Sequence, residues 1–278
     1  MSTRIALMGA GGKLGCRITD NIKDLAHYQV DYIEITEVGQ ARLTEKGVHV
    51  SPESEALAHA DVVILALPDK LIGKLSQSIV PQMKAGAMVV GLDPAAAHAE
   101  VIPLREDLSY FVTHPCHPPV FHDETTPEAR SDWFGGVYAK HHIVCALHQG
   151  SEADYQLGES IARDIFAPVM DAYRITVEQM AILEPALSET FTATLITAMK
   201  EAMDEAIKMG VPAEAAEAFL MGYIRVPLAI VFGYADFPFS DGAQLAIQEG
   251  YEKIFRPDWK ARIFDREALK HSVQQITH

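Results

Sequence analysis

Cysteine is scarce in this chain: its 278 residues include only three, Cys16, Cys116 and Cys145. Thiols so few and so widely spaced exclude a disulfide framework and a structural zinc site, and we expect them to be reduced. Long hydrophobic runs are missing too, since none approaches the roughly 20 residues that a membrane-spanning helix needs. The first residues lead directly into a short apolar run and lack the features of a secretory signal. We therefore predict a cytoplasmic protein with no membrane partner.

Positive charge is the second shortage. Lys and Arg number 23 against 38 Asp and Glu, and the formal net charge is −15. Such a chain repels a nucleic-acid backbone at long range, so we expect no nucleic-acid partner. An anionic substrate would have to be held by local groups. The sequence also lacks internal repeats and low-complexity tracts, and its 49% hydrophobic residues are typical of a globular protein.

Short apolar runs alternate with helical stretches in the first part of the chain, as they do in βαβ units that build a parallel sheet. The predicted strands are 4–8, 30–35, 61–67, 87–92, 110–113, 141–147 and 169–173. Beyond residue 174 the composition favours helices, predicted over 176–209, with a kink or a break at Pro185, and over 213–222. We predict an α/β protein: an N-terminal Rossmann domain over 1–173, doubly wound and mainly parallel, and an all-helical C-terminal domain over 174–278.

The first predicted strand runs into glycines and then into a helix. Gly9, Gly12 and Gly15 follow a G-x-x-G-x-x-G spacing, whereas Leu14 occupies the last glycine position of the more usual G-x-G-x-x-G. Glycines permit a tight turn and let backbone amides approach a pyrophosphate, whose charge the helix N-terminus stabilises. This placement favours dinucleotide binding over a merely structural turn. The predicted cofactor contacts are Gly9, Gly11, Gly12, Lys13, Leu14 and Gly15.

Two further segments bear on the cofactor. Glu34 follows the glycines by about 20 residues, where a carboxylate binds the ribose diol and repels a 2′-phosphate, so the sequence favours NAD over NADP. Glu37 is the alternative, and either residue could instead be a solvated charge at a strand end. Leu67, Pro68 and Asp69 end another strand at the carboxyl edge of the sheet, and we predict that they lie beside the nicotinamide ribose.

Three histidines, His114, His117 and His122, lie within nine positions of one another in a loop that also carries three prolines. The prolines hold the loop extended and exclude regular helix or inner strand. Histidines clustered beside a thiol and two carboxylates indicate a metal site or an acid–base site, although packing within a loop is the alternative.

Glutamates in the helical part are the candidate partners of these histidines. Glu184 interrupts an apolar stretch just before a proline, where a carboxylate is unfavourable unless a metal or a donor compensates it. A helix-end charge in solvent is the alternative, and Glu189 is more easily a surface residue. His141 and His142, at the start of a predicted strand, are interpreted as surface groups without chemistry.

With these residues in view, the chain resembles the 6-phosphogluconate dehydrogenase and ketol-acid reductoisomerase superfamily. The shared features are an N-terminal Rossmann domain, a strand ending in Leu-Pro-Asp and an all-helical second domain. More narrowly, the segments 8–15, 93–97, 114–119 and 183–187 resemble the D-apionate oxidoisomerase family, and the similarity covers essentially the whole chain. The His-Pro-Cys-His-Pro-Pro run is far more distinctive than the glycines.

The resemblance implies NAD-dependent oxidation of a branched polyhydroxy (sugar) acid, coupled to a 1,2-shift that yields a rearranged oxo acid. A divalent ion held by His117 and Glu184, with His114, would assist the rearrangement, and mixed nitrogen and oxygen ligands favour zinc. Glu184, Glu189 and His122 are the candidate catalytic residues for proton movement. Two alternatives stay open: a metal-free NAD(P)-dependent hydroxy-acid dehydrogenase and a non-catalytic NAD-sensing module. Helical second domains of this kind often complete a neighbour's site, so we expect a homodimer.

Overall fold

The computed structural model describes residues 2–121 and 123–277. The chain forms two compact units, of which one is Met1–Glu184 together with Lys270–His278, and the other is Pro185–Leu269. The unit that contains the sheet therefore extends past residue 173 and also includes the C-terminal residues.

One seven-stranded sheet organises the first unit, with the strand order β2-β1-β3-β4-β5-β6-β7. Neighbouring strands are parallel throughout except for β5 and β6, which are antiparallel. The predicted mainly parallel Rossmann sheet is confirmed. The strands are β1 (Thr3–Met8), β2 (Tyr28–Ile33), β3 (Val62–Leu65), β4 (Met88–Gly91), β5 (Ser109–Pro115), β6 (His141–Gln149) and β7 (Val169–Arg174).

Helices cover both faces of this sheet. Along β1, Ile5 and Leu7 join one hydrophobic core that includes residues of the first helix, whereas Ala6 and Met8 join a second core on the opposite face. This alternation follows from the two-residue period of a strand and shows that the sheet is doubly wound. The helices of this unit are α1 (Lys13–Ile22), α2 (Glu37–Glu45), α3 (Glu53–His59), α4 (Asp69–Ile79), α5 (Ala95–His98), α6 (Pro127–Ser131), α7 (Glu152–Ile165) and α8 (Val177–Ala181).

Two short helices, α2 and α3, were not expected from the sequence. Helix α2 begins where the Thr36 side chain accepts a hydrogen bond from the amide of Gly39, which satisfies one of the free amides of the first turn. Because α2 starts four residues after β2 ends, its N-terminus lies at the carboxyl edge of the sheet. The segment thereby brings Glu34 and Gly39 to the glycine loop.

The predicted kink or break at Pro185 takes the form of widened turns. The helix continues from α8 through Ile182–Ala193, where the backbone forms wide π-type turns, into the next regular helix. Proline has no backbone amide to donate, and the widened turns accommodate Pro185 without the regular helical hydrogen bond. Such turns occur frequently at functional sites. Glu184 and Glu189 both lie in this stretch.

The helices of the second part are α9 (Thr194–Lys208), α10 (Ala213–Val231), α11 (Asp241–Ile254), α12 (Trp259–Ile263) and α13 (Arg266–Thr277). The predicted helix over 213–222 was too short, because α10 continues through Pro227 to residue 231. Ser240 caps α11, since its side chain accepts from the amide of Ala243. In the described part of the chain, none of the helices has both the length and the apolar character of a bilayer span.

Candidate active site

The glycine loop between β1 and α1 is closely packed against its neighbours. Gly9 has a φ of +72°, and a Cβ atom at this position would overlap the carbonyl oxygen of Ala66. The amide of Gly12 donates to the carbonyl of Gly9 at 3.0 Å, which closes the turn. Among the residues that the structure describes, no side chain caps α1, and its first turn contains no acidic residue. The N-terminus of α1 therefore presents backbone amides that suit an anionic group.

Glu34, which directly follows β2, lies against this loop. Its Oε2 accepts from the amide of Gly11 at 3.0 Å, and its Oε1 accepts from both the amide and the hydroxyl of Thr36 at 2.8 Å. Burial raises the pKa of Glu34, but these hydrogen bonds outweigh burial and hold the pKa below its ordinary value. A cavity of about 330 Å³ is lined by Glu34, whereas the alternative, Glu37, is exposed and does not line it.

A second cavity, of about 350 Å³, lies at the carboxyl ends of β3, β4 and β5. Leu67, Pro68 and Asp69 line it together with Gly12 and Leu14 of the glycine loop. Asp69 is the first residue of α4, and burial together with the nearby carboxylate of Asp93 raises its pKa. Residues of the glycine loop and residues that follow β3 therefore line the same cavity.

His114, near the end of β5, borders this second cavity. The prediction that the prolines keep this residue out of an inner strand was wrong, because β5 extends to Pro115 and pairs with β6 at both positions. Its Nδ1 lies 3.0 Å from the carbonyl oxygen of Leu92, so Nδ1 carries the proton and donates, and the lone pair is on Nε2. The carboxylate of Asp93 lies 3.9 Å from the same Nδ1, and its other oxygen accepts from the amide of Ala95 at 2.7 Å. The imidazole therefore has a fixed orientation beside the cavity.

His117 lies two residues beyond the end of β5 in a left-handed backbone conformation, with a φ of +59°. Such a conformation is strained for a residue other than glycine and persists only where the surroundings enforce it. The Nδ1 of His117 lies 3.0 Å from the carbonyl oxygen of Phe134, so the lone pair is again on Nε2. The ring centroids of His114 and His117 are 6.3 Å apart.

The segment that supplies the Phe134 carbonyl is held by one carboxylate. The Oδ2 of Asp132 accepts from the amides of Val137, Tyr138 and Ala139 at 2.9–3.2 Å, and Oδ1 accepts from Arg17 of α1 at 2.7 Å. Burial raises the pKa of Asp132, but these donors outweigh burial and lower the pKa below its ordinary value. Asp132 thus connects the helix behind the glycine loop with the segment that orients His117.

The prediction that His141 is a surface group was wrong. The side chain is buried, with 1% of its surface exposed, and its Nε2 donates to the carbonyl of Phe166 at 2.6 Å. Burial lowers the pKa of His141, so the imidazole is neutral near pH 7. His142 is half-buried, and its Nδ1 lies 3.4 Å from the carboxylate of Asp171. Consecutive residues of a strand point to opposite faces, so only one of two adjacent histidines can face the core. The interpretation of both as surface groups overlooked this alternation.

The other predicted site residues are distributed over both units. Glu184 is half-buried and is the last residue of the sheet-containing unit, whereas Glu189 is exposed in the helical unit. The predicted catalytic His122 lies outside the described residues. The structure also brings in Asp93, Asp132 and Phe134, which sequence reasoning missed. The Asp-x-x-Gly-Gly pattern at 132–136 is typical of a turn and could have drawn attention to Asp132 and Phe134.

The segment 114–117, called the histidine loop below, offers two imidazole nitrogens that could bind a divalent cation. Both imidazoles have Nδ1 occupied by a backbone carbonyl, which is the arrangement that orients Nε2 towards a metal. The described residues contain no group of three His, Cys, Asp or Glu side chains arranged as a metal site. A complete ligand set therefore needs a donor in addition to the two histidines.

Two family descriptions cover the chain. Residues 122–277 match the C-terminal domain of phosphogluconate dehydrogenase (decarboxylating). Residues 1–122 match the NADPH-binding domain of acetohydroxy acid isomeroreductase. The Rossmann fold and the two matched domains define the protein as an NAD-dependent oxidoreductase.

Curated relatives extend over the whole chain. A D-apionate oxidoisomerase of Cupriavidus necator is 48% identical over 100% of both chains, and one of Rhizobium rhizogenes is 50% identical over 99% of this chain and 100% of its own. The crystal structure of a semialdehyde dehydrogenase NAD-binding protein from Cupriavidus necator, in complex with calcium and NAD, covers 100% of both chains with 48% identity and a TM-score of 0.97. The chain belongs to the D-apionate oxidoisomerase family, and the resemblance inferred from its motifs is confirmed.

Replacing Asp132 tests its structural role. We expect Asp132→Ala to lower the free energy of unfolding by about 2–4 kcal/mol, because the backbone amides of three residues and the guanidinium of Arg17 lose the acceptor that the buried Asp132 side chain provides. Since folding depresses the pKa of this carboxyl, its contribution is complete above the unfolded-state pKa of about 3.9 and is lost as the pH falls further. Urea unfolding at pH 7 and at pH 3 measures both effects. Glu128→Ala, an exposed position on α6, is the control, and an equal loss in the two variants would contradict the role of Asp132.

Proposed function

We propose that this protein oxidises D-apionate with NAD and couples the oxidation to a 1,2-shift that yields 3-oxo-isoapionate. The observation that carries the proposal is that His114 borders the same cavity as the glycine loop and the residues after β3. An oriented imidazole therefore stands where a nicotinamide ring and a substrate carbon would meet, at the carboxyl edge of the sheet. The names of the full-length relatives supply the substrate.

In this proposal the cofactor lies along the glycine loop. The amides of residues 11–15 bind the pyrophosphate at the N-terminus of α1, and Glu34 accepts hydrogen bonds from the ribose diol. Leu67, Pro68 and Asp69 border the nicotinamide ribose. NAD supplies the hydride acceptor, and the chain's contribution is to bind it in one orientation and to exclude NADP through the Glu34 carboxylate.

The proposed metal site consists of His117, Glu184 and His114. The tautomers fixed by the carbonyls of Phe134 and Leu92 leave an Nε2 lone pair on each histidine. A divalent cation in this site supplies Lewis-acid polarisation of neighbouring substrate oxygens. The structure of the Cupriavidus necator relative contains calcium. Two imidazole nitrogens nevertheless favour zinc, because calcium prefers oxygen ligands.

Proton movement is assigned to three acid–base candidates. Oxidation of the substrate alcohol removes one hydride and one proton, and the proton needs a base within hydrogen-bonding reach. Glu184, Glu189 and His122 are the proposed acid–base residues. The shift itself moves a carbon–carbon bond within the substrate, so the protein's task there is to hold the substrate in one conformation and to exclude water.

We also propose that the helical region, beyond residue 174, forms a homodimer and completes the substrate site. Among the described residues, α9 and α11 bury no side chain and α10 buries only Ala216. An amphipathic helix normally buries its apolar stripe, and a large exposed apolar surface marks an interface. The exposed apolar side chains include Phe219, Tyr223, Phe232, Leu245, Tyr251 and Ile254. A second copy of the same helices would cover them with a matching apolar surface.

Coenzyme selection depends on Glu34 in this proposal. We expect Glu34→Ser to weaken NADH binding by about tenfold to a hundredfold and to narrow the preference over NADPH, because the diol loses charged hydrogen bonds and the 2′-phosphate is no longer repelled. Fluorescence titration of both coenzymes measures the change. Glu37→Ser is the matched control, and the opposite ranking of the two variants would assign the ribose contact to Glu37.

Turnover tests the reaction. With D-apionate and NAD we expect NADH to form, and NMR of the product to show the rearranged oxo acid. Treatment with EDTA should abolish turnover and a divalent cation should restore it. His117→Ala should lower turnover by about a hundredfold or more while NADH affinity changes by less than about twofold.

The control for this variant is His49→Ala, since His49 is exposed and lines neither cavity described above. Turnover that survives EDTA would favour the metal-free hydroxy-acid dehydrogenase. Tight NADH binding with no turnover on D-apionate or related hydroxy acids would favour the NAD-sensing module.

The dimer has its own measurement. Light scattering coupled to size exclusion should give twice the mass of one chain at micromolar concentration. The dimer should persist on dilution, because a large apolar interface dissociates only at low concentration. A single-chain mass at every concentration would contradict the proposal.

A further inference from the structure

A third cavity, of about 230 Å³, adjoins the cavity at the nicotinamide end. The two share Lys13, Leu14, Leu92 and His114 as lining residues. The third cavity continues from them towards His117 and Phe134. A molecule in this space would therefore lie against the cofactor helix on one side and against the histidine loop on the other.

The charges around this third cavity have one sign. Lys13 and Arg17, one turn apart on α1, line it, and none of the lining residues in the described part of the chain is Asp or Glu. This is unusual in a protein whose formal net charge is −15. The remaining ionisable lining residues are histidines, of which the buried His141 is neutral near pH 7 because burial lowers its pKa.

The two cations differ in what surrounds them. Arg17 donates to the Asp132 carboxylate at 2.7 Å, so its charge is compensated within the fold. Lys13 has no carboxylate partner among the described residues. Its Nζ instead lies 4.0 Å from the centre of the Phe134 ring, an interaction that orients the ammonium without neutralising it. Lys13 therefore supplies the uncompensated positive charge of this cavity.

The other walls strengthen an ionic contact. Leu14, Leu92, Ile165 and Phe166 give the cavity a largely apolar lining, and an ion pair is stronger where water is excluded. A carboxylate placed against Lys13 would leave the rest of a small hydroxy acid facing His114 and His117.

We propose that the side chain of Lys13 binds the carboxylate of the substrate and thereby selects hydroxy acids over neutral polyols. The proposal rests on the proposed function for the identity of the substrate. Lys13 then has two roles. Its backbone amide belongs to the pyrophosphate-binding turn, whereas its ammonium group faces the substrate. Lys13 is then a specificity-determining residue, and the charge that the rest of the chain lacks is supplied at the point of binding.

The test compares Lys13→Met with the wild type on two substrates, D-apionate and its neutral amide, D-apionamide. We expect the KM for D-apionate to rise by about tenfold or more, because a charge-assisted contact is lost, while the KM for the amide changes by less than about twofold. Lys13→Arg should retain most of the discrimination, since it keeps the charge. Lys23→Met, an exposed lysine that follows α1, controls for the loss of one positive charge.

Calorimetry with NADH separates this role from a cofactor contact. The dissociation constant of NADH should be the same for Lys13→Met and the wild type. If NADH binding weakens as much as the KM for D-apionate rises, the ammonium binds the pyrophosphate and the proposal is overturned. An equal rise of KM for the acid and the amide also overturns it.

Failure of the proposed function gives a different result. If the wild type does not oxidise D-apionate, the reaction assignment is wrong. D-apionate and D-apionamide are then titrated by calorimetry into the complex of the protein with NADH. Acid binding that exceeds amide binding in the wild type and not in Lys13→Met would support the carboxylate subsite on its own. Equal or absent binding of the two ligands would overturn the subsite.

Discussion

The carboxylate of Asp132 determines how the two halves of the site are joined. It binds Arg17 of the cofactor helix with one oxygen and three amides of the 137–139 turn with the other. That turn holds the Phe134 carbonyl in place to accept from His117 and the Phe134 ring to contact Lys13. Helix α1, the segment that orients His117 and the third cavity therefore share one anchoring group.

Much of this arrangement could be predicted from the sequence, because strands and glycine turns have local signals. The strand pattern predicted the sheet, and Glu34, which its distance from the glycines singled out, lies against the glycine loop. Asp132 could not be found in the same way, since its partners are backbone amides and an arginine 115 residues away, and neither has a periodic pattern. The burial of His141 depends on contacts with Gly135 and with the carbonyl of Phe166, which a local sequence pattern does not reveal.

The fold is shared more widely than the chemistry. An NADH-preferring ketol-acid reductoisomerase from an uncultured archaeon has a TM-score of 0.68 with only 18% identity, which shows the scaffold alone. In this chain the segment after β5, which carries His117, lies at the carboxyl edge of the sheet. Function in such folds resides in the side chains that these segments carry. The parallel strands provide a rigid support on which the loop can change without altering the core.

The left-handed backbone at His117 has a consequence for how this loop evolves. Glycine adopts such a conformation without the steric penalty that any Cβ brings, roughly 1 kcal/mol, so folding alone would favour glycine here. The imidazole at position 117 is therefore present although its Cβ atom makes this backbone conformation unfavourable. Substituting glycine for His117 would relieve the backbone strain and remove the imidazole in a single step, so the fold could gain stability at this position only by losing the ring.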